Sequence, residues 1–154
     1  QLSLTLAVFG LAGVAGTLSG GWANDRFGSL PTMRVQLAVL VATMAVLPLT
    51  RGHLYATMAT LVVWGIAGFG VMSPQQSRLA GMAPAQAPLL LSLNGSMLYV
   101  GTALGAVISG AMLDHLHLSQ LGWVGVPFGL LALLTLAFEP AQVRPVAGAA
   151  TGSP

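Results

Sequence analysis

Cysteine is absent from this sequence, which excludes disulfides and thiolate chemistry and leaves the redox compartment unreadable. Charge is nearly absent as well. Five arginines and three carboxylates make up 5% of the 154 residues, against about 25% in an ordinary soluble domain. So few charges cannot cover the surface of a soluble domain of this size. Aromatic residues are also scarce, at 6%. The formal charge of +2 and a pI near 10.0 do not signal nucleic acid, because the arginines are scattered singly through apolar sequence and make no basic patch. A cleavable signal peptide is missing too. Gln1 already lies in an apolar run, with no starting Met and no charged leader, and this beginning reads as a cut.

What is present is apolar. Hydrophobic residues make up 55% of the chain and the mean hydropathy is +0.85, so the solvent over most of the surface is lipid. Glycine, at 20 residues, exceeds the usual roughly 7%, and membrane helices tolerate it better than soluble ones. Charges and prolines cut the sequence into five apolar stretches, near 2–23, 33–50, 54–76, 88–113 and 119–138. A bilayer core of about 30 Å needs about 20 helical residues, which four of the stretches supply comfortably. The second is short and carries Pro48 near its end. Open strands cannot cross lipid, and no stretch has the period-2 alternation of a barrel. The expected fold is therefore all-α: a polytopic membrane bundle of five transmembrane helices over residues 1–138. From Glu139 the sequence turns to Pro, Ala, Gly and Ser, and 139–154 is predicted to be a disordered cytoplasmic tail.

Local signals explain the boundaries. Gly28 suits a helix C-terminus, and Ser29 with Pro31 suits the start of the next helix. Pro88 fits the first turn of the fourth. Placing the Asp25–Arg34 loop in the cytoplasm puts Arg26, Arg34, Arg78 and Arg144 inside and only Arg51 outside, as the positive-inside rule requires. Five spans then put Gln1 outside and the C-terminus inside.

The most specific string is Gly21-Trp22-Ala23-Asn24-Asp25-Arg26-Phe27-Gly28. It resembles the loop motif of the major facilitator superfamily, Gly-x-x-x-Asp-Arg-x-Gly followed by basic residues. In that family the motif joins spans two and three, with a weaker copy between spans eight and nine. Here Ser29 and Leu30 stand where basic residues usually follow, and only Arg34 comes after, which suits the weaker copy. Downstream, Trp64-Gly65-Ile66-Ala67-Gly68-Phe69-Gly70, Ser73-Pro74-Gln75-Gln76, Asn94-Gly95-Ser96 and Tyr99-Val100-Gly101-Thr102-Ala103-Leu104-Gly105 follow in order. This succession resembles spans ten and eleven of the drug:proton antiporter and sugar-efflux branch. The resemblance covers roughly residues 5–138. It implies that the five helices are spans eight to twelve of a C-terminal half, and that the N-terminal half of the same carrier is the missing partner. It further implies that Gly21, Asp25, Arg26, Gly28 and Arg34 form a conformational-switch loop, in which an Asp at a helix end pairs with an Arg and a neighbouring helix dipole. The plainer reading of Asp25-Arg26 is a solvated turn.

Three helices carry chemistry of interest. The first has Gly10, Gly13, Gly16 and Gly20, and Gly16 with Gly20 forms a small-residue packing seam. In the fourth, Asn94, Gly101 and Gly105 fall on one face and Ser92, Ser96, Tyr99 and Ala103 on the other. Gly101 and Gly105 suit packing against a neighbour. Ser96 and Tyr99 suit the wall of a cavity, or hydroxyls bonded within the bundle. Asn94 can glue helices or line the cavity. Trp64, near mid-membrane, is a candidate for contact with an apolar or cationic substrate, or a packing residue. Gln75 and Gln76 fall at the cytoplasmic interface as gate or loop contacts. The cluster Asp114-His115-x-His117 lacks a fourth convergent ligand, so no metal site is expected. No nucleophile–base pair or phosphate loop appears, and no enzyme or cofactor is expected.

Asp25, Asp114 and Glu139 lie at helix ends, so an acid that couples transport to protons would belong to the missing half. The expected function is that of a fragment of a secondary active, proton-coupled efflux carrier, multi-pass in the cell inner membrane. Its solute would be a small molecule such as a drug or sugar. The alternative is a non-transporting membrane scaffold or assembly subunit.

Overall fold

The computed structural model describes residues 2–50, 52–113, 117 and 120–138. Among the described residues six α-helices follow one another: α1 (Leu2–Phe27), α2 (Ser29–Val46), α3 (Leu54–Gly70), α4 (Met72–Met82), α5 (Ala87–Met112) and α6 (Leu121–Ala137). A 3-10 turn over Leu47–Thr50 prolongs α2, and another over Pro84–Gln86 leads into α5. Since α3 and α4 run on as one 29-residue apolar stretch, Leu54–Met82, the six helices make five rods. Among the described residues, three helical stretches are long and apolar enough to cross a bilayer: Ser29–Thr50, Leu54–Met82 and Pro84–Met112. The α1 helix has 26 residues, and α6 is a shorter apolar helix of 17. The chain is an all-α membrane bundle.

The rods differ at their ends from the expected spans. The sequence placed a loop between 23 and 33, yet Gly28 alone separates α1 from α2. Its φ of +87° lets the chain reverse within one residue. The Gly28 amide donates to the Asn24 carbonyl at 2.9 Å, Ser29 Oγ to Asn24 Oδ1 at 2.8 Å, and Thr32 Oγ1 to the Gly28 carbonyl at 2.8 Å. Pro31 sits in the first turn of α2, where no helical N–H is required. The third rod also continues six residues past the expected 76, to Met82, after an interruption at Val71. The predicted tail, 139–154, lies outside the described residues.

Two prolines lie where helices are interrupted, Pro74 just after the break at Val71 and Pro48 in the 3-10 turn that ends α2. Pro74 has no N–H to give to the Gly70 carbonyl, and Pro48 none to give to that of Met44. Each freed carbonyl faces a glycine of another helix. A methyl group built on Gly20 would collide with the Gly70 oxygen, and one on Gly122 would stand 2.8 Å from the Met44 oxygen. Only a glycine Cα–H can approach a carbonyl so closely, and such contacts recur at helix–helix interfaces.

The helices form a layer in the order α1, α3, α2, α6, with α4 continuing below α3 and touching both α1 and α2. The α1 and α3 helices run parallel, with Gly16 against Ile66 and Gly20 against Gly70. The α2 and α6 helices run antiparallel, with Val41 against Gly129 and Met44 against Gly122 and Gly125. The α5 helix stands apart. It packs on α4 and touches α6, and among the described residues it meets none of α1, α2 or α3. No residue of α5 is buried.

Candidate functional site

The octet 21–28 ends α1. Gly21 lies beside Ser73 of α4: a methyl built on it would sit 3.6 Å from the Ser73 hydroxyl. Gly28 makes the reversal. Asp25 is exposed and receives the Asn24 amide at 3.4 Å. Arg26 turns to the aromatic rings beside it, its guanidinium 5.7 Å from the Trp22 ring centre and 5.8 Å from that of Phe27. Those rings meet edge to face at 6.0 Å. Arg34 leaves this group. From the first turns of α2 it reaches the end of α6, where Nε donates to the Leu136 carbonyl at 3.1 Å and a terminal nitrogen donates to it at 2.6 Å.

Four residues were singled out for a solute cavity, and they fall in two places. Trp64 is half-buried on α3 and stacks on Phe9 of α1, with ring centres 5.7 Å apart and planes 21° from parallel. Phe9 in turn meets Phe69 edge to face at 5.9 Å. Gly65 and Gly13 make room for this cluster, since a methyl on Gly65 would stand 3.1 Å from the Phe9 ring and one on Gly13 3.2 Å from that of Phe69. Asn94, Ser96 and Tyr99 lie on α5. Asn94 accepts a 2.6 Å hydrogen bond from Gln75 Nε2, so α5 is fastened to α4 by two amides. Ser96 donates to the Ser92 carbonyl one turn back at 3.2 Å, and Tyr99 is 77% exposed.

The glycines divide in the same way. Gly16 and Gly20 sit against the backbone of α3, whereas Gly101 and Gly105 have no neighbour within reach of an added methyl. The sequence reading overlooked a third group, Gly122, Gly125 and Gly129 of α6, which receives Met44 and Val41 of α2. Their spacing of three and then four residues, one helix face, was the signal available. It also overlooked Gln36, whose side chain packs against Gly70 and whose carbonyl oxygen is buried without a partner. Of the His/Asp cluster, Asp114 and His115 lie outside the described residues. Among the described residues no group of three potential metal ligands occurs.

This geometry is a bundle of glycine-seated, proline-interrupted helices with a reversal motif at one end and an open helix at the side. The sequence model of the Major Facilitator Superfamily matches residues 1–153. The chain belongs to the major facilitator superfamily. This major facilitator chain is 29% identical over 133 residues to an uncharacterised MFS-type transporter, YbcL, of Bacillus subtilis, covering 86% of this chain and 34% of that protein. It is 31% identical over 141 residues to the inner membrane transport protein YdhP of Escherichia coli K12, covering 91% of this chain and 36% of that protein. It is 27% identical over 136 residues to a protein of Helicobacter pylori P12 named "Probable sugar efflux transporter", covering 88% and 34%. The chain thus spans about a third of the length of these relatives. No solved structure matches. Membership in this family and the apolar helices make the chain a multi-pass membrane protein.

Proposed function

We propose that this chain is the C-terminal part, spans eight to twelve, of a proton-coupled efflux carrier in the cell inner membrane, with its C-terminus in the cytoplasm. The carrier exports a small solute such as a sugar or an amphipathic drug. The N-terminal half of the same carrier supplies the other wall of the cavity and the coupling acid. The observation that carries this reading is α5, an apolar 26-residue helix with no buried residue, held to the bundle through Gln75 and Asn94. Lipid can cover its apolar side, but the exposed hydroxyls of Ser92, Ser96 and Tyr99 favour another body of the carrier across from that strip. The relatives named for inner-membrane transport and sugar efflux support the same direction. On α5, Ser96 and Tyr99 offer hydroxyls and Asn94 an amide to the cavity, and Trp64, in its separate cluster on α3, offers the ring face that Phe9 leaves open. The loop Gly21, Asp25, Arg26 and Gly28 takes part in switching between inward- and outward-facing states.

The test is solute movement by the full-length carrier in proteoliposomes under an imposed proton gradient, with a radiolabelled sugar and a cationic dye as alternative solutes. Gradient-driven movement of one of them, reduced about tenfold by Tyr99→Ala, supports the reading, since cavity groups act by binding that differs between states. A carrier that inserts and folds but moves neither solute under either polarity of gradient favours the scaffold alternative.

A further inference from the structure

We propose that Arg34 is a positioning residue that seats α6 against α2, and not a member of the switch loop whose motif it follows. Its Nε and one terminal nitrogen both donate to a single atom, the Leu136 carbonyl, 102 residues away. That carbonyl lies in the last turn of α6, where backbone acceptors have no helical donor and the helix dipole is negative. A guanidinium donating twice satisfies the acceptor and places its charge where the dipole favours it. The other end of the same helix pair has a matching device. Trp123, near the start of α6, donates its indole N–H to the Ala45 carbonyl near the end of α2 at 3.1 Å. Between the two ends lies the α6 glycine face, which receives Met44 and Val41. Arg34 and Trp123 therefore fix the register of an antiparallel pair from both ends, and α2–α6 keeps a single arrangement while other helices of the bundle shift.

The glycine face also provides a direct test. A Cβ built on Gly129 stands 3.7 Å from Val41 Cβ. The mean separation across a disulfide is about 3.8 Å. The pair Val41→Cys with Gly129→Cys is then close enough to close, and the first substitution removes the methyl that the second would strike. These 154 residues contain no native cysteine. In the full-length carrier, with any cysteine elsewhere replaced, oxidation in membranes should close this bond rapidly. Arg34→Met should slow closure about threefold or more, and Arg34→Lys less, because the lysine keeps the charge but not the paired donation. Transport by the oxidised carrier should stay within about twofold of the reduced form, as expected of a pair that does not open during rocking. Two results overturn the proposal: closure that Arg34→Met leaves unchanged, or transport that stops on oxidation and returns on reduction. The inference rests on the transport reading for its second arm only. A carrier that moves no solute even when reduced contradicts the transport reading, while the closure rates still decide the role of Arg34.

Discussion

The α2–α6 pair and α5 are built from the same residues to different effect. Both are apolar and rich in glycine. In α6 the glycines at 122, 125 and 129 admit the side chains of α2 and the carbonyl freed by Pro48, and two long side chains fasten the ends. In α5 the glycines at 95, 101, 105 and 110 meet nothing within 4 Å, and the helix is held chiefly by α4, with one amide pair and a slight touch on α6. Burial makes the contrast plain: Leu30, Thr32, Met33 and Val41 of α2 are buried, against no residue of α5. A glycine stripe in a membrane helix therefore marks a place where a backbone can approach. Whether one does depends on the partner: carbonyls freed by Pro74 and Pro48 meet Gly20 and Gly122, but Gly16 meets the carbonyl of Ile66 inside α3.

The largest expected effect comes from filling a used seat and an unused one with the same side chain. Gly20→Leu places a branched chain where a single methyl already meets the Gly70 carbonyl. Backbone cannot yield as a side-chain tip does, so the loss should reach about 3 kcal/mol or prevent folding. Gly105→Leu should change the stability of this chain by no more than about 0.5 kcal/mol. Thermal unfolding of the chain in detergent micelles reads both. Equal losses would remove the contrast between the helices.

Next in size is the fastening of α2 to α6. Arg34→Met removes a charge-assisted donor from a part-buried carbonyl and should cost about 2 kcal/mol. Trp123→Phe keeps the ring but loses the donor to Ala45, at about 1 kcal/mol. Reversal of this order in melts of the two variants would mean that packing of the indole outweighs the cap.

Much of the fold was legible because lipid imposes it. Composition gave membrane residence, and the proline and charge punctuation gave five rods. The joint at Gly28 was visible as a helix stop, but not that one residue suffices, since that depends on Asn24, Ser29 and Thr32 bonding across the turn. Gly16 and Gly20 were legible as a seam because a single helix face carries them. Gly101 and Gly105 have the same pattern and open surroundings, and periodicity cannot tell the two cases apart. Arg34 was read with the motif that it follows in sequence. Its acceptor lies 102 residues away, beyond any local pattern. The pairing of Asn94 with Gln75 was hidden likewise: each amide could be placed on its helix, but not the meeting of the two.

A smaller effect belongs to that amide pair. A double-mutant cycle of Gln75→Ala and Asn94→Ala should give a coupling of about 0.6 kcal/mol, the average for hydrogen bonds between membrane helices, and no more than about 1.7. The bond is short, but both side chains find other partners when the helices part. If α5 is held chiefly by apolar contact with α4, the cycle will close near zero and the single variants will differ little from the parent.

The smallest expected effect separates stability from switching at the loop motif. Arg26 lies over Trp22 and Phe27 at an exposed helix end, an arrangement worth about 0.5 kcal/mol. Trp22→Leu should lower the melting transition by an amount near the limit of measurement, and Arg26→Lys should lower it less. A motif that only ends a helix would show the same small effect on transport as on stability. A motif that latches one state of the carrier would show a large effect on transport beside a small effect on stability, because a latch acts on the balance between two folded arrangements and not on folding. Measuring both for Arg26→Leu in the full-length carrier distinguishes the two. Parallel, slight losses would leave Asp25-Arg26 as a solvated turn, and the stacking of Arg26 on its neighbouring rings would then be its whole contribution.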